Sequence, residues 1–273
     1  MTTAPISVVI PCYCCALTVT RAVQSVLAQT CRPGEIILVD DASPDDGRTL
    51  GVLRELAASP HGRVPVRVMA LERNEGPATA RNTGWDAAVQ PYVAFLDADD
   101  VWHPRKLEIQ YGWMRAHPHA SICGHGTMVL SDPPHFPDPP STWSGQRLGR
   151  LLMFLSNRLP LRSVMLRRDL PLRFAPGQYY SEDYLLWLRA LLSGRELWRL
   201  PLPLAFSFKP DFGAAGLSGD LWSMHKGELR VYRALHRERL APIWLLAGAT
   251  AFSFLKFLRR CVISMLRSWR KPR

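Results

Sequence analysis

Short runs of hydrophobic residues alternate with amphipathic stretches along the first hundred positions of the chain. The apolar runs are rich in Val, Ile and Leu, as is typical of strands buried on both faces of a sheet; they lie at 6–10, 35–39, 66–70 and 92–96. Between them, apolar positions recur at helical spacing over 17–28, over 48–58 and again from Pro77 onwards. This alternation predicts an α/β fold in which helices flank a mixed, mainly parallel, Rossmann-like sheet.

The helix expected from Pro77 has a face of small residues. Pro77 stands where the first turn of a helix favours proline, and Ala80, Gly84 and Ala88 follow at four-residue spacing. Residues four apart lie on the same side of a helix. The sequence therefore predicts that this helix lies close against the sheet.

The second half of the chain is less regular. Residues 131–140, SDPPHFPDPP, are too rich in proline for a helix or strand and predict a surface loop. A helix is expected from Ser181, which would be its N-cap, with acidic side chains in its first turn. Two further helices, over 221–239 and over the apolar stretch 243–269, would form a C-terminal helical tail.

Positive charge is concentrated in the C-terminal part of the 273-residue chain. The formal net charge is +11, and residues 237–273 contain nine Lys or Arg and one acid. Within this part, residues 240–258 form an apolar stretch that is long enough to span a membrane, but Pro242 and Gly248 interrupt it.

The C-terminal part of the apolar stretch is amphipathic. Large apolar side chains cover most of the expected helix, and its basic residues fall along one stripe, which consists of Lys256, Arg260, Arg267 and Lys271. A basic amphipathic helix is typical of the membrane interface, and we favour that interpretation over a membrane span. The alternative is a helix packed on the protein's own core or on a partner subunit. A nucleic-acid partner is not expected, because the segment has few hydrogen-bonding side chains.

The cysteines and the first residues indicate a cytoplasmic chain. The six cysteines lack the spaced framework of a small secreted scaffold, and Cys12, Cys14 and Cys15 have no second pair at zinc spacing. The first residues carry no basic region and only a short apolar run, so no secretory signal is expected.

Carboxylates directly follow two of the expected strands. Asp40 and Asp41 follow the second, and Asp97, Asp99 and Asp100 follow the fourth. The carboxyl ends of parallel strands meet at one rim, where ligands bind in such sheets. Carboxylates this crowded are tolerated best where a cation lies among them. We therefore predict a cation site at this rim, against the alternative of ordinary turn residues.

Five short segments occur in order across about the first two thirds of the chain. They are SVVIPCY (7–13), VDDAS (39–43), RNEGPATARNTG (73–84), FLDADDVW (95–102) and SEDYLLWLR (181–189). With this ordered set the chain resembles the family-2 inverting glycosyltransferases of GT-A fold. The resemblance implies transfer of a sugar from a nucleotide-sugar donor, with a UDP-sugar favoured. One departure is Cys14, where the family commonly has Asn.

The resemblance also implies which residues bind the donor. Asp97–Asp99 matches the family's DxD motif, in which Asp99, together with Asp97, holds a Mg²⁺ or Mn²⁺ ion at the donor diphosphate. Carboxylate oxygens suit both ions, which would act as Lewis acid and template. For Arg81, the alternative to nucleotide binding is an ordinary arginine exposed on the surface of a helix. The implied nucleotide-binding residues are Pro11, Asp40, Asp41, Arg81 and Asp97.

In the last segment the resemblance implies the catalytic base. Asp183 matches the base position, with Glu182 as the second candidate. A helix N-terminus favours the anion, so we expect Asp183 to be ionised and ready to accept a proton, although an ordinary helix start selects the same residues. Trp222 and His225 are candidate acceptor contacts. The Gly-rich segment 209–222 is either a flap over the acceptor or a plain linker.

The combined prediction is a metal-dependent inverting glycosyltransferase that works at a membrane surface. Residues 1–103 would bind the nucleotide sugar, 104–215 would bind the acceptor and supply the base, and 216–273 would form the basic amphipathic tail. The acceptor would be a lipid-linked or polysaccharide glycan. The tail would hold the protein peripherally on the inner face of the cytoplasmic membrane.

Two other functions remain as alternatives. One is a catalytically degenerate GT-A-fold subunit of a membrane assembly. The other is a haloacid-dehalogenase-like phosphohydrolase, because FLDADDV also fits that family's motif with Asp97 as nucleophile. Those enzymes need a later Gly-Asp pair with another acid, and here Gly219 and Asp220 are followed by LWSMH.

Overall fold

Nine strands form one sheet within residues 2–130, 136–209 and 219–269, which are the residues that this computed structural model describes. The strands are β1 (Thr2–Cys12), β2 (Cys31–Asp40), β3 (Val66–Ala70), β4 (Tyr92–Phe95), β5 (Val101–Trp102), β6 (Ala120–Val129), β7 (Gln146–Arg147), β8 (Met165–Arg167) and β9 (Glu196–Ser207).

Eight α-helices accompany the sheet in the same described residues. They are α1 (Val19–Leu27), α2 (Arg48–Ala58), α3 (Pro77–Ala87), α4 (Lys106–Ala116), α5 (Arg150–Leu155), α6 (Glu182–Leu192), α7 (Leu221–Arg237) and α8 (Ile243–Trp269), and one 3₁₀ turn lies at Leu161–Ser163. Every helix and strand expected from the hydrophobic pattern is present. Of the proline-rich segment, residues 131–135 lie outside the described residues, and 136–140 form neither helix nor strand.

The sheet is parallel in its first half and mixed in its second. Its order is β3-β2-β1-β4-β8-β6-β9-β5, with β7 beside β9. The strands β1 to β4 pair in parallel, whereas β8 runs antiparallel to both of its neighbours, β4 and β6. The carboxyl ends of β1, β2 and β4 therefore meet at one edge of the sheet, as the mainly parallel prediction requires.

Hydrophobic cores lie on both faces of this sheet. Along β1, Val8 and Ile10 pack into one core together with residues of α1 and α4. Val9, which points to the other face, packs with residues of α3, α6 and α7. Because side chains alternate across a strand, both faces of β1 must be apolar, which explains the unbroken hydrophobic run.

The small-residue face of α3 lies against the sheet, as the sequence predicts. Ala80, Gly84 and Ala88 are all buried. A Cβ atom at Gly84 would overlap the side chain of Val9 and contact Val39. This close approach places the N-terminal half of α3, including Arg81, directly beside the carboxyl ends of β1 and β4.

The C-terminal helix α8 packs along α7 and leaves an apolar face exposed. Leu246, Ala249 and Ser253 are buried on its inner side. The outer side carries large hydrophobic residues with exposed side chains: Trp244, Phe254, Leu255, Leu258, Val262 and Met265. No helix in the described residues is long and apolar enough to cross a membrane. The helical tail is therefore confirmed, and one of its faces packs on the protein's own core.

Two members of the predicted basic stripe face the protein rather than the surroundings. Lys256 and Arg260 both form ion pairs with Glu228 of α7. At these two positions the predicted basic stripe therefore lies against α7, because the buried carboxylate of Glu228 attracts both cations. The side chain of Arg267 and all of Lys271 lie outside the described residues.

Candidate active site

A cleft of about 850 Å³ opens at the carboxyl ends of β1, β2 and β4. Pro11 of β1, Asp41 after β2, and Asp97 and Asp99 after β4 line it, together with Arg81 of α3. The predicted convergence of strand-end acids on one rim is thus what the structure shows, since three neighbouring parallel strands end there.

Asp41 fixes the loop before α3. Its two carboxylate oxygens accept hydrogen bonds from the backbone N–H groups of Glu75, at 2.8 Å, and Gly76, at 2.9 Å. Burial raises the pKa of Asp41 above its ordinary value, and the two N–H donors oppose that rise. Gly76 has a φ of 88°, and a Cβ there would lie 2.9 Å from the ring of Tyr179. The loop therefore needs glycine, and it brings Tyr179, which the sequence analysis did not single out, to the cleft wall.

Asp40 does not line the cleft but forms hydrogen bonds that hold the neighbouring loop. Its carboxylate accepts a 2.6 Å hydrogen bond from the Ser43 hydroxyl, which in turn accepts one from the Cys14 N–H at 2.9 Å. Cys14 has a φ of 47°, a region that Asn enters more readily than most residues. This backbone geometry gives a reason for the family's Asn here, and it shows that Cys14 keeps the loop contact through its backbone.

The two acids of the DxD motif each pair with a cation. Asp97 pairs with Arg81 at 3.1 Å, and Asp99 pairs with Lys209 at 2.5 Å. Their side chains are 30% and 38% exposed, so both carboxylates remain open to the cleft.

The donor set at this position fits a hard divalent ion. Lys209 already places a positive charge on Asp99, and carboxylate oxygens are the ligands that Mg²⁺ and Mn²⁺ prefer. Within the described residues, no cluster of three or more His, Cys, Asp or Glu side chains could hold an ion alone. The remaining ligands would have to come from water and from a bound phosphate group.

Asp100 explains how three carboxylates fit within four positions. Its side chain is buried and pairs with Arg162 at 3.2 Å, while Oδ1 has no hydrogen-bond partner among the described residues. Burial raises the pKa of Asp100 to about 7, with further contributions from Asp97 and Asp99 against the opposing charge of Arg162. Near neutral pH this carboxyl group is partly protonated, which lowers the repulsion within the cluster.

Arg81 joins this cluster to the first turn of α6. Its buried guanidinium pairs with Glu182 at 2.5 Å and with Asp97 at 3.1 Å. Burial alone would lower the pKa of Arg81, but the two carboxylates outweigh it and raise the pKa. The alternative of an exposed helix arginine is therefore wrong.

A second cleft of about 520 Å³ adjoins the first and contains Asp183. Five lining residues are common to both clefts: Arg81, Asp97, Arg162, Tyr179 and Lys209. Asp183 accepts hydrogen bonds from the Asn157 side chain at 2.9 Å and from the Tyr184 N–H at 2.6 Å. The pair of clefts thus brings the DxD acids and the predicted base to a common boundary.

The protonation of Asp183 differs from the sequence-based expectation. Burial raises its pKa to about 7, the charge of Glu182 adds to this, and the Asn157 hydrogen bond opposes it. This rise opposes the ionised state expected from the helix start, because burial of the carboxylate acts against the helix N-terminus. Glu182 is buried against Arg81, which leaves Asp183 as the carboxylate with hydrogen-bonding capacity toward the cleft.

Three non-glycine residues with positive φ lie at the motif loops. They are Cys14, Ala42 and Ser181, with φ of 47°, 50° and 59°. Ser181 occupies the predicted N-cap position of α6, but its side chain makes no capping hydrogen bond. Such conformations are costly and concentrate at functional sites, so their location supports a site here.

The other predicted contacts lie elsewhere. His225 is buried, where it stacks on Phe257 and lies 3.2 Å from the Ser253 hydroxyl. Neither His225 nor the half-exposed Trp222 lines either cleft, so this geometry does not support their prediction as acceptor contacts. Of the Gly-rich segment 209–222, residues 210–218 lie outside the described residues, and the choice between flap and linker stays open.

Asp220 has a structural role that conflicts with the phosphohydrolase alternative. Its carboxylate accepts a 2.9 Å hydrogen bond from the Ser223 N–H and caps the N-terminus of α7. Asp220 lines neither cleft, and Asp97, the nucleophile of that alternative, is held by Arg81. Asp220 therefore does not supply the second acid of a phosphohydrolase at this site.

The family model for glycosyl transferase family 2 matches residues 7–169, more than half of the chain. The chain belongs to glycosyl transferase family 2. The matched region contains the motif segments of the first cleft, and it ends before α6.

Similar proteins include other glycosyltransferases. An uncharacterised glycosyltransferase of Rickettsia felis is 39% identical over 109 residues, which are 40% of this chain and 17% of that protein. This family-2 chain thus spans under a fifth of that relative's length. The UDP-Glc:alpha-D-GlcNAc-diphosphoundecaprenol beta-1,3-glucosyltransferase WfgD of Escherichia coli is 29% identical over 188 residues, 68% of this chain and 69% of that protein.

A solved structure shows the same fold. The crystal structure of S. aureus TarS 1-349 in complex with UDP-GlcNAc has a TM-score of 0.67 and is 20% identical, covering 95% of this chain and 72% of that chain. The GT-A fold expected from the sequence is therefore confirmed for this family-2 chain.

We expect Arg81→Ala to lower the free energy of unfolding by about 3–5 kcal/mol, because it leaves two carboxylates without their buried partner. The matched control is Arg105→Ala, which removes an exposed ion pair with Glu108. This variant should change the free energy of unfolding by about 0.5 kcal/mol or less. Urea denaturation of both variants measures the difference. Equal losses in the two variants would contradict the central role of Arg81.

Proposed function

We propose that this protein is a metal-dependent inverting glycosyltransferase whose donor binds in the first cleft and whose acceptor binds in the second. The observation that carries the proposal is the shared wall of the two clefts. Arg81 there contacts both Asp97 of the DxD motif and Glu182, the residue next to the proposed base. A transferase needs its donor and its acceptor base on either side of one reacting carbon, and the shared wall supports such an arrangement.

The first cleft suits a nucleoside diphosphate sugar. Pro11 and Asp41 would contact the base or ribose at one end, and the DxD acids stand at the other. Arg162 and Lys209 line the same cleft and can offset phosphate charge. The similarity to a structure solved with UDP-GlcNAc favours a UDP-sugar as the donor.

Asp97 and Asp99 would hold Mg²⁺ or Mn²⁺ in this cleft. When bound, the ion would supply positive charge to the leaving diphosphate. Lys209, which pairs with Asp99 at 2.5 Å, would then be free to turn toward a phosphate oxygen. Asp40 would support the site indirectly, through Ser43 and the Cys14 loop.

Asp183 would act as the general base. It takes the proton from an acceptor hydroxyl while that oxygen attacks the anomeric carbon, and the bond from this carbon to the nucleoside diphosphate breaks. Attack from the face opposite the leaving group inverts the configuration. The pKa of Asp183, about 7, lies near neutral pH, where a general base is most effective.

We further propose that the reaction takes place on the inner face of the cytoplasmic membrane. The exposed apolar side of α8 includes Trp244 at 72% and Met265 at 65% exposure, and such a helix face binds at the lipid interface. The relative WfgD is named for a diphosphoundecaprenol-linked acceptor. A lipid-linked or polysaccharide glycan is therefore the acceptor that we favour. A degenerate assembly subunit is disfavoured, because Asp41, Asp97, Asp99 and Asp183 are all retained and line the two clefts.

Nucleotide binding tests the donor site. We expect UDP with Mn²⁺ or Mg²⁺ to raise the melting temperature of the wild type, because a ligand that binds only the folded state stabilises it. The Asp99→Ala variant should lose the metal-dependent part of this rise. Asp169→Ala, which removes an exposed acid that lines neither cleft, is the control and should respond like the wild type. Absence of any metal-dependent rise in the wild type would overturn the proposal.

The pH dependence of transfer tests the base. The pKa of Asp183 is raised above its ordinary value, so the active, deprotonated form is lost below it, and the rate should fall on acidification with a midpoint near pH 7. Asp183→Asn should lower kcat by about 10²–10⁴. Asn157→Ala removes a donor to the carboxylate and should move the midpoint to higher pH. An Asp183→Asn variant with near-normal turnover would show that another group is the base.

Liposome binding tests the membrane surface. We expect the wild type to sediment with anionic liposomes, and Leu255→Gln combined with Leu258→Gln to weaken binding at least tenfold, since each buried leucine contributes about 1.5–3 kcal/mol. Leu17→Gln with Val89→Gln is the matched control, because both side chains are exposed outside α8. Equal binding by the two double variants would remove α8 as the attachment site.

A further inference from the structure

Three basic residues of α8 line the cleft that contains Asp183. They are Lys256, Arg259 and Arg260. None of them lines the first cleft, whereas Arg162 and Lys209 line both clefts. The three α8 cations can therefore contact a ligand that enters the second cleft, on the proposed acceptor side. The base chemistry of Asp183 does not account for them.

Glu228 of α7 holds two of these cations in place. Its carboxylate accepts hydrogen bonds from Lys256 at 2.8 Å, Arg260 at 3.1 Å and the Ser253 hydroxyl at 2.7 Å. Burial alone would raise the pKa of Glu228, but Lys256 and Arg260 outweigh it and hold the pKa below its ordinary value. Two long side chains that are otherwise flexible are thereby ordered at the cleft wall before any ligand arrives.

The charge of this cluster is only partly compensated. Glu228 pairs with Lys256 and Arg260 but not with Arg259. The whole cleft is lined by six basic and four acidic residues, so two positive charges remain in excess; the basic residues are Arg81, Arg162, Lys209, Lys256, Arg259 and Arg260, and the acidic ones are Asp97, Glu182, Asp183 and Glu228. Arg259 is exposed and forms no ion pair with any acid among the residues the structure describes. A neutral glycan would not compensate this excess of positive charge. A phosphate group would compensate it, because its oxygens are negatively charged and accept the forked hydrogen bonds of arginine.

The neighbouring surface suggests how this group is delivered. On α8, Leu255, Leu258 and Val262 are exposed along a stripe next to the basic residues. An acceptor whose phosphate is attached to an apolar chain would therefore meet basic and apolar side chains side by side. The same basic cluster could also bind a phosphate within a soluble polymer.

We infer that Lys256, Arg259 and Arg260 form a phosphate subsite, so that the acceptor of the proposed transfer is a phosphate-bearing glycan or glycolipid. This inference rests on the proposed function, which supplies the donor cleft and the base. It adds the chemical class of the acceptor, and it gives α8 a role in acceptor binding besides membrane attachment.

Calorimetric titration with octyl phosphate tests the subsite. The full chain is first saturated with UDP and Mn²⁺, so that the donor cleft is filled, and octyl glucoside serves as an uncharged probe with the same alkyl chain. We expect octyl phosphate to bind at least tenfold more tightly than octyl glucoside. Arg259→Ala should weaken octyl phosphate binding about tenfold, the size expected for one charge-assisted hydrogen bond, and should leave octyl glucoside unchanged.

Two further variants separate recognition from loss of folding or of general charge. Arg260→Lys keeps a cation on Glu228 but lacks the forked donors of arginine, and it should weaken octyl phosphate binding severalfold with an unchanged melting temperature. Arg233→Ala with Arg237→Ala removes two exposed charges of α7 outside the cleft and should bind within twofold of the wild type.

A short glycerol-phosphate oligomer distinguishes a soluble polymer from a lipid source. Tighter binding of the oligomer than of octyl phosphate would identify a polymeric phosphate, and the reverse would identify a lipid phosphate. Equal affinity for octyl phosphate and octyl glucoside, together with no binding of the oligomer, would overturn the inference while UDP binding in the same samples still supports the donor site. Failure of UDP to bind would instead count against the proposed function.

Discussion

The buried guanidinium of Arg81 is the constraint on which the site depends. A charge removed from water must be compensated nearby, and the two carboxylates that do so come from distant parts of the chain. Asp97 follows β4, and Glu182 opens α6, 101 positions after Arg81. Both halves of the domain must therefore fold together before this cation is satisfied. Once they have, Asp97, Arg81 and Glu182 have fixed positions, and Asp183 follows Glu182 directly.

Much of the fold could be predicted from local patterns. The hydrophobic runs of β1, β2 and β4 are nearly continuous because the sheet is buried on both faces there, and the small residues of α3 are needed where Gly84 meets Val9. Parallel strands also explain why the acids near 41 and 97 converge, since their strands end at one edge. These inferences hold because each depends on neighbours in sequence or on the direction of a strand.

The parts that could not be predicted depend on contacts between distant segments. No local pattern marks Tyr179 as the residue packed on Gly76, or Arg162 as the partner of Asp100. The protonation of Asp183 depends on how deeply the folded protein buries it, whereas the sequence shows only a helix start. Lys256 and Arg260 have the periodicity of a basic stripe, and only the position of Glu228 on α7 shows that these two residues face the protein.

The diameter of α8 limits the distance between the apolar stripe and the basic residues on its surface. An α-helix with its side chains is about 10–12 Å across, so the apolar stripe and the basic edge of α8 cannot be further apart than that. If the stripe lies at the boundary of the acyl chains, the basic edge is held at the depth of the lipid headgroups. The helix would then keep the mouth of the proposed acceptor cleft at the depth of the headgroup layer. An acceptor confined to the same bilayer would reach the cleft by diffusion in two dimensions, with no need to leave the membrane.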